Sequence, residues 1–199
     1  MISTIPRIPS VSHCLALMDQ YGMLANIRAH SFMVARVAET IVSHLADGGG
    51  ESPPPPDRNM VIAGALLHDI AKTLCLDGSC KHAEEGRRIC ESHGYGEVGG
   101  VVAEHVVLSE FAFEQYKRGR FGPKEIVFYA DKRVKHDTIV TLDDRLGYII
   151  ARYSDGTPAT ETRIKENFAA CLELESYLFS YLPFATHQLV TNLTTHHFG

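Results

Sequence analysis

Five polar residues of this chain stand where apolar ones belong. His30 lies three positions after Ile27 and four before Val34, on a stripe that Val37, Ile41 and Leu45 continue. His105 shares a helical face with Val101, Val102 and Leu108. Asp131 has Val127 four before it and Val134 three after, and His68 with Asp69 closes the apolar run GALLHD. A lone carboxylate on a core-facing stripe must be paired, protonated or metal-bound, because taking an unpaired charge out of water is costly. Neutral imidazole and carboxylate are also the donors that first-row divalent metals accept. For any one of these residues a hydrogen-bonded core histidine, or an aspartate paired with a lysine or capping a helix, is the simpler reading. The five together lead to the expectation of one buried cation site.

The elements that must position them read as helices. Helical spacing of apolar residues predicts segments over 11–21, 26–45, 59–75, 82–93, 98–108, 123–134, 142–153 and 161–181. Gly94 is a stop after the fourth, and Pro123 occupies the first helical position of the sixth. Alternating strand patterns are almost absent, so the expected class is all-α, a helical bundle. DGGGESPPPPD, residues 47–57, rules out helix and reads as a long loop within one domain.

The ordered run His30, His68-Asp69, Asp131 resembles the H…HD…D pattern of the HD superfamily of metal-dependent phosphohydrolases. LLHDIAKT, residues 66–73, is similar to the HDIG variety, with Ala71 where its glycine usually stands. The resemblance covers roughly residues 24–150 and implies a helical bundle around a buried metal site, with residues 1–199 as one domain and the segments from 158 to 199 packed on that core. Two further histidines match the extended pattern of the dinuclear branch, His82 in KHAEEG and His105 in VVAEHVVL. The implied ligand set is His30, His68, Asp69, His82, His105 and Asp131, around a mono- or dinuclear site with two divalent ions favoured over one, Fe or Mn first and Ni, Co, Mg or Zn possible. Asp69 would bridge the ions, and bound water would attack phosphorus as hydroxide. Gly86, on the His82 face, would let backbone or a ligand approach closely.

Lys72 lies four positions after His68 and could hold a substrate phosphate; the same position is basic in the resembling motif. Lys135, four after Asp131, and its neighbours Lys132 and Arg133 are candidates of the same kind, against the alternative of solvated helix-end cations. The motif set with FYADKRVK resembles small bacterial HD proteins that hydrolyse diadenosine tetraphosphate, although the residues after ADK diverge. A nucleotide is therefore the expected substrate, by hydrolysis of a phosphoester or phosphoanhydride. An HD-type di-iron oxygenase and a non-catalytic regulatory module remain open, and an HD-GYP phosphodiesterase is disfavoured because no GYP segment follows the HD run.

A net charge of -5 argues against a nucleic-acid polymer as partner. No apolar run reaches membrane-spanning length, and five cysteines without a framework spacing read as reduced thiols, so a cytoplasmic location is expected. Cys75 and Cys80 are read as packed thiols rather than zinc ligands with His82. His44 and His93 read as helix-end histidines, His196 and His197 as tail, and the basic run 116–124 as a loop before a lid. His136 could reach the pocket but matches no family position. The last helix could pack on the bundle or form a homodimer face.

Overall fold

The computed structural model describes residues 7–46 and 53–198, so residues 47–52 of the expected loop lie outside the described residues. The chain is mostly helical. Helix α1 (Val11–Gln20) is capped by Ser10, whose hydroxyl accepts from the His13 N–H. Helix α2 (Ala25–Ala46) carries the long apolar stripe, and Val34, Val37, Ala38 and Ile41 are fully buried on it. Helix α3 (Arg58–Leu67), capped by Asp57, is buried from Met60 through Leu67. Its all-round apolar surface explains its place at the centre, against α1, α2, α5 and α7.

Helices α4 (His82–Ser92) and α5 (Gly96–Glu104) form a tight hairpin, turning through Gly94 at φ 82°. Gly86 serves protein packing here: a Cβ on it would come within 2.8 Å of Val102 Cγ1 and 3.3 Å of Ile70 Cγ2. A short α6 (Phe113–Tyr116) precedes α7 (Pro123–Lys132), where the Glu125 carboxylate accepts the Gly122 N–H and ties down the helix start. Helices α8 (Leu142–Tyr153) and α9 (Pro158–Ser180) pack on each other, and α9 also contacts α6 and α7. A 3₁₀ turn at Thr186–Gln188 follows. The basic run 116–124 folds back on α9, with the Tyr181 hydroxyl donating to the Lys117 carbonyl at 2.8 Å.

Four expectations need correction. The helix expected over 98–108 ends at Glu104. The helix expected over 59–75 ends at Leu67, and 68–77 continues as tight turns held by bonds such as Lys72 N–H to Asp69 O at 2.9 Å. The helix expected through Val134 stops at Lys132 and gives way to a hairpin, β1 (Val134–Lys135) antiparallel to β2 (Thr138–Ile139), which pairs Val134 with Ile139. Cys75 and Cys80 are a disulfide, because the turn through Gly78, at φ 79°, brings their Cα atoms to 5.1 Å. Cys14, Cys90 and Cys171 are free and buried, and burial pushes each thiol up to about 12. Among the described residues no helix is long and apolar enough to cross a membrane.

Candidate metal centre

Two of the site histidines are placed by the same local device. His68 and His105 are the C-cap residues of α3 and α5. Helix ends leave carbonyls without intrahelical partners. Each histidine donates its Nδ1–H to such a carbonyl three residues back, His68 to Ala65 at 2.7 Å and His105 to Val102 at 2.6 Å. This bond fixes the ring and leaves Nε2 with a lone pair aimed away from the helix. His30, on α2, is oriented by a remote group. Its Nδ1 donates to the carbonyl of His136 at 2.8 Å, in the turn of the β1–β2 hairpin. The non-glycine left-handed backbone of His136, φ 56°, belongs to that turn.

The six expected ligand residues converge. His30 Nε2 lies 3.0 Å from Asp131 Oδ1. His68 Nε2 lies 3.4 Å from Asp69 Oδ2 and 3.8 Å from Asp131 Oδ1. Asp69 turns its other oxygen, Oδ1, to His82 Nε2 at 3.3 Å and His105 Nε2 at 3.6 Å. Donor atoms of His30, His68 and Asp131 form one group within 4.8 Å of one another, and those of His68, Asp69 and His105 form a second.

Two features of this cluster call for a cation. His68 Nε2 and Asp69 Oδ1 are buried without a hydrogen-bond partner, a state that native interiors rarely leave uncompensated. His82 and His105 also bring their Nε2 atoms to 3.1 Å. His105 spends its proton on Val102 when neutral, so its Nε2 accepts from His82 Nε2–H, and moving the His82 proton to Nδ1 turns both lone pairs toward the same space. Donors about 3 Å apart are what ligands 2.0–2.2 Å from a shared ion adopt. The residues present therefore fit divalent metal.

At Asp69, Asp131, His82 and His105 the electrostatics favour ligand-ready forms. Burial would raise Asp69, but the charges of His68 and Lys72 hold its carboxyl well below the ordinary range. Burial would likewise raise Asp131, which the His30 hydrogen bond and Arg145 hold well down. Desolvation and the neighbouring His105 push His82 down to about 4, and desolvation also lowers His105. Burial opposes protonation of His68, yet the charges of Asp69 and Asp131 raise it on balance. Protons and metal thus compete for the His68 nitrogen.

The basic residues divide. Lys72 Nζ sits 2.7 Å from Asp69 Oδ2 with its side chain partly open to solvent. Lys135 is half-buried with Nζ 5.0 Å from the centre of the Tyr148 ring. Lys132, expected to face a substrate, is instead committed to protein: it is 4% exposed and donates to the carbonyls of His105 and Val106 at 3.0 and 3.1 Å. Its ammonium secures the end of α5, and burial lowers it to about 8. Arg133 is bound to Glu175 and to the Tyr129 hydroxyl.

Two contributors escaped the sequence reading. One is the His136 backbone carbonyl, which no side-chain pattern reveals. The other is Arg145, 7% exposed, whose Nη2 lies 3.4 Å from Asp131 Oδ1. Its signal was available: Arg145 interrupts a stripe with Leu142 and Ile149, as His30 does on α2. His196, read as tail, bonds Glu39 on α2 at 3.1 Å and lies outside the cluster.

A helical bundle closed around a buried His/Asp cluster that can hold divalent metal is the class defined by this fold and site. The family model for the HD domain matches residues 27–146, more than half of the chain, and the chain belongs to the HD domain family. The match contains all six cluster residues and Arg145. Proteins of this family are in general metal-dependent phosphohydrolases. No curated protein and no solved structure matches the chain.

Proposed function

We propose that this chain is a metal-dependent phosphohydrolase with two divalent ions, Fe or Mn favoured, cleaving a phosphoester or phosphoanhydride of a nucleotide. The observation that carries the two-ion reading is the split of Asp69: Oδ2 faces His68 while Oδ1 faces His82 and His105. A carboxylate with its oxygens facing two donor groups is suited to serving two ions. His30, His68 and Asp131 would complete one ion's shell; His82 and His105 would complete the other's.

Bound ions of this kind supply an activated water and neutralise charge on phosphoryl oxygens. The chain's own part is to hold the donors in their metal-binding tautomers through Ala65, Val102 and His136, and to offer Lys72 to the substrate anion. The test is metal analysis of the purified protein with nucleotide turnover measured on the same sample. Close to two equivalents of metal, with chelator-sensitive release of phosphate or nucleotide, is expected. Metal without hydrolysis of any nucleotide or generic phosphoester would overturn the reading and favour the oxygenase or regulatory alternative.

A further inference from the structure

Each buried carboxylate of the cluster carries a basic partner: Lys72 on Asp69 at 2.7 Å, and Arg145 on Asp131 at 3.4 Å. The two pairs flank one imidazole, that of His68, whose Nε2 is 3.4 Å from Asp69 and 3.8 Å from Asp131. Without metal these four charges cancel. Metal held by Asp69 and Asp131 would draw on the same carboxylates, so a loaded site would hold an excess of positive charge with two basic side chains sharing their counter-charge. A buried cation cannot be left so at low cost.

Arg145 is the more telling of the two. Its guanidinium is nearly sealed from solvent, lies 5.5 Å from the Tyr148 ring centre and 3.4 Å from Asp131, and leaves Nε buried with no partner. An arginine fork with a donor unspent is built for two-point recognition of a tetrahedral oxyanion. The surrounding groups are Asp131 and Lys132 on α7 and Tyr148 on its own helix. Of these only Asp131 is acidic, and it is the residue that metal would engage.

Resting on the hydrolase reading above, we propose that Arg145 is a substrate-recognition residue that grips, together with Lys72, the phosphoryl group undergoing cleavage. This makes the end of α8 an integral wall of the site. It also favours substrates that present a doubly charged terminal phosphoryl group over singly charged diesters, because the site offers two basic side chains beyond those its carboxylates need.

The test uses the full chain, metal-loaded, with inorganic phosphate as the probe in calorimetry, and kinetics on the best nucleotide of the panel. Arg145→Gln should keep the wild-type metal content and weaken phosphate by about tenfold or more, the usual scale for losing a charge-assisted hydrogen bond. It should raise KM by more than it lowers kcat. Arg145→Lys, which keeps the charge but not the fork, should fall between. Unchanged phosphate affinity in Arg145→Gln would overturn the proposal. So would loss of metal in Arg145→Gln with its recovery in Arg145→Lys, which would make Arg145 a positioning residue for Asp131. If Arg145→Gln does not fold, Arg145→Lys decides alone: weakened phosphate at full metal content supports the proposal, and wild-type affinity overturns it. A wild-type protein that neither binds phosphate nor releases it would instead bring down the hydrolase reading itself, and this proposal with it.

Discussion

The two ends of the cluster are built differently. At the His30–Asp131 end His30 sits in the second turn of α2 and Asp131 in the last turn of α7, two helices that pack on each other, and the His136 carbonyl holds the His30 ring. At the His82 end the imidazole opens a helix, its side chain is 30% exposed, and among the described residues no protein group holds its Nδ1. His82 hangs on the short loop that the Cys75–Cys80 disulfide closes. On the proposed two-ion reading, one position would be preorganised by the bundle, whereas the other would depend on a surface loop. Preorganised outer partners typically change metal affinity by 10–100-fold. The two positions are therefore expected to fill in order, the His30–Asp131 end first.

The sharpest break comes from the residue common to both ends. Asp69→Ala should remove both ions and lower turnover by more than about 100-fold, a loss larger than outer partners give; metal analysis beside nucleotide release checks it. Substituting the ends one at a time then ranks them. His82→Ala should keep about one equivalent of metal, while His30→Ala should bind its remaining ion far more weakly, as competition with a chelator would show. The reverse order would mean that the loop end, not the helix end, anchors the metal.

Acid gives a third handle, with a sign that follows from the imidazoles. His82 sits at about 4 in the folded chain, against roughly 6.5 when unfolded. Between those values the unfolded chain holds more protons, so this contribution to stability rises with pH and is lost as pH falls below about 6.5. His105 acts in the same direction, and His68, raised in the folded state, acts against them. In urea titrations of chelated protein, wild type should lose more stability between pH 7 and pH 5 than His82→Gln does. Equal losses would show that His82 is not held neutral by its surroundings.

The smallest effect expected is on the loop. Closing six residues with a disulfide constrains the unfolded chain by about 2 kcal/mol on the chain-entropy model, less any native strain. Cys75→Ser with Cys80→Ser should lower the melting temperature modestly and loosen the second equivalent of metal more than the first. Equal loosening of both would erase the distinction between the ends.

How much of this was legible depends on the kind of signal. His30, His68, Asp69, His105 and Asp131 could be found because each interrupts an apolar run, and burial makes such interruptions expensive. His82 could not be found that way: its helix is polar on most faces and the residue is half-buried, so only the family pattern pointed to it. Lys132 was misread because spacing places a side chain on a helix but does not say which carbonyls lie beside it. The ends of α3 and α5 were placed late for a related reason. Apolar runs continue through Ile70 and Leu108, while the capping histidines that stop the helices are told apart only by the bond each ring makes. The disulfide turns on a loop conformation that cysteine spacing does not encode.

The turn at His136 has a consequence for how this site tolerates change. What reaches His30 from that position is a peptide oxygen, so the imidazole at 136 is dispensable in principle and the orientation of its amide plane is not. Replacement by glycine or asparagine would pass unnoticed, since both accept a left-handed backbone, whereas valine or isoleucine would tilt the carbonyl and unseat a ligand it never touches. Two lineages of this chain could share no side chain at the position and still preserve the same centre.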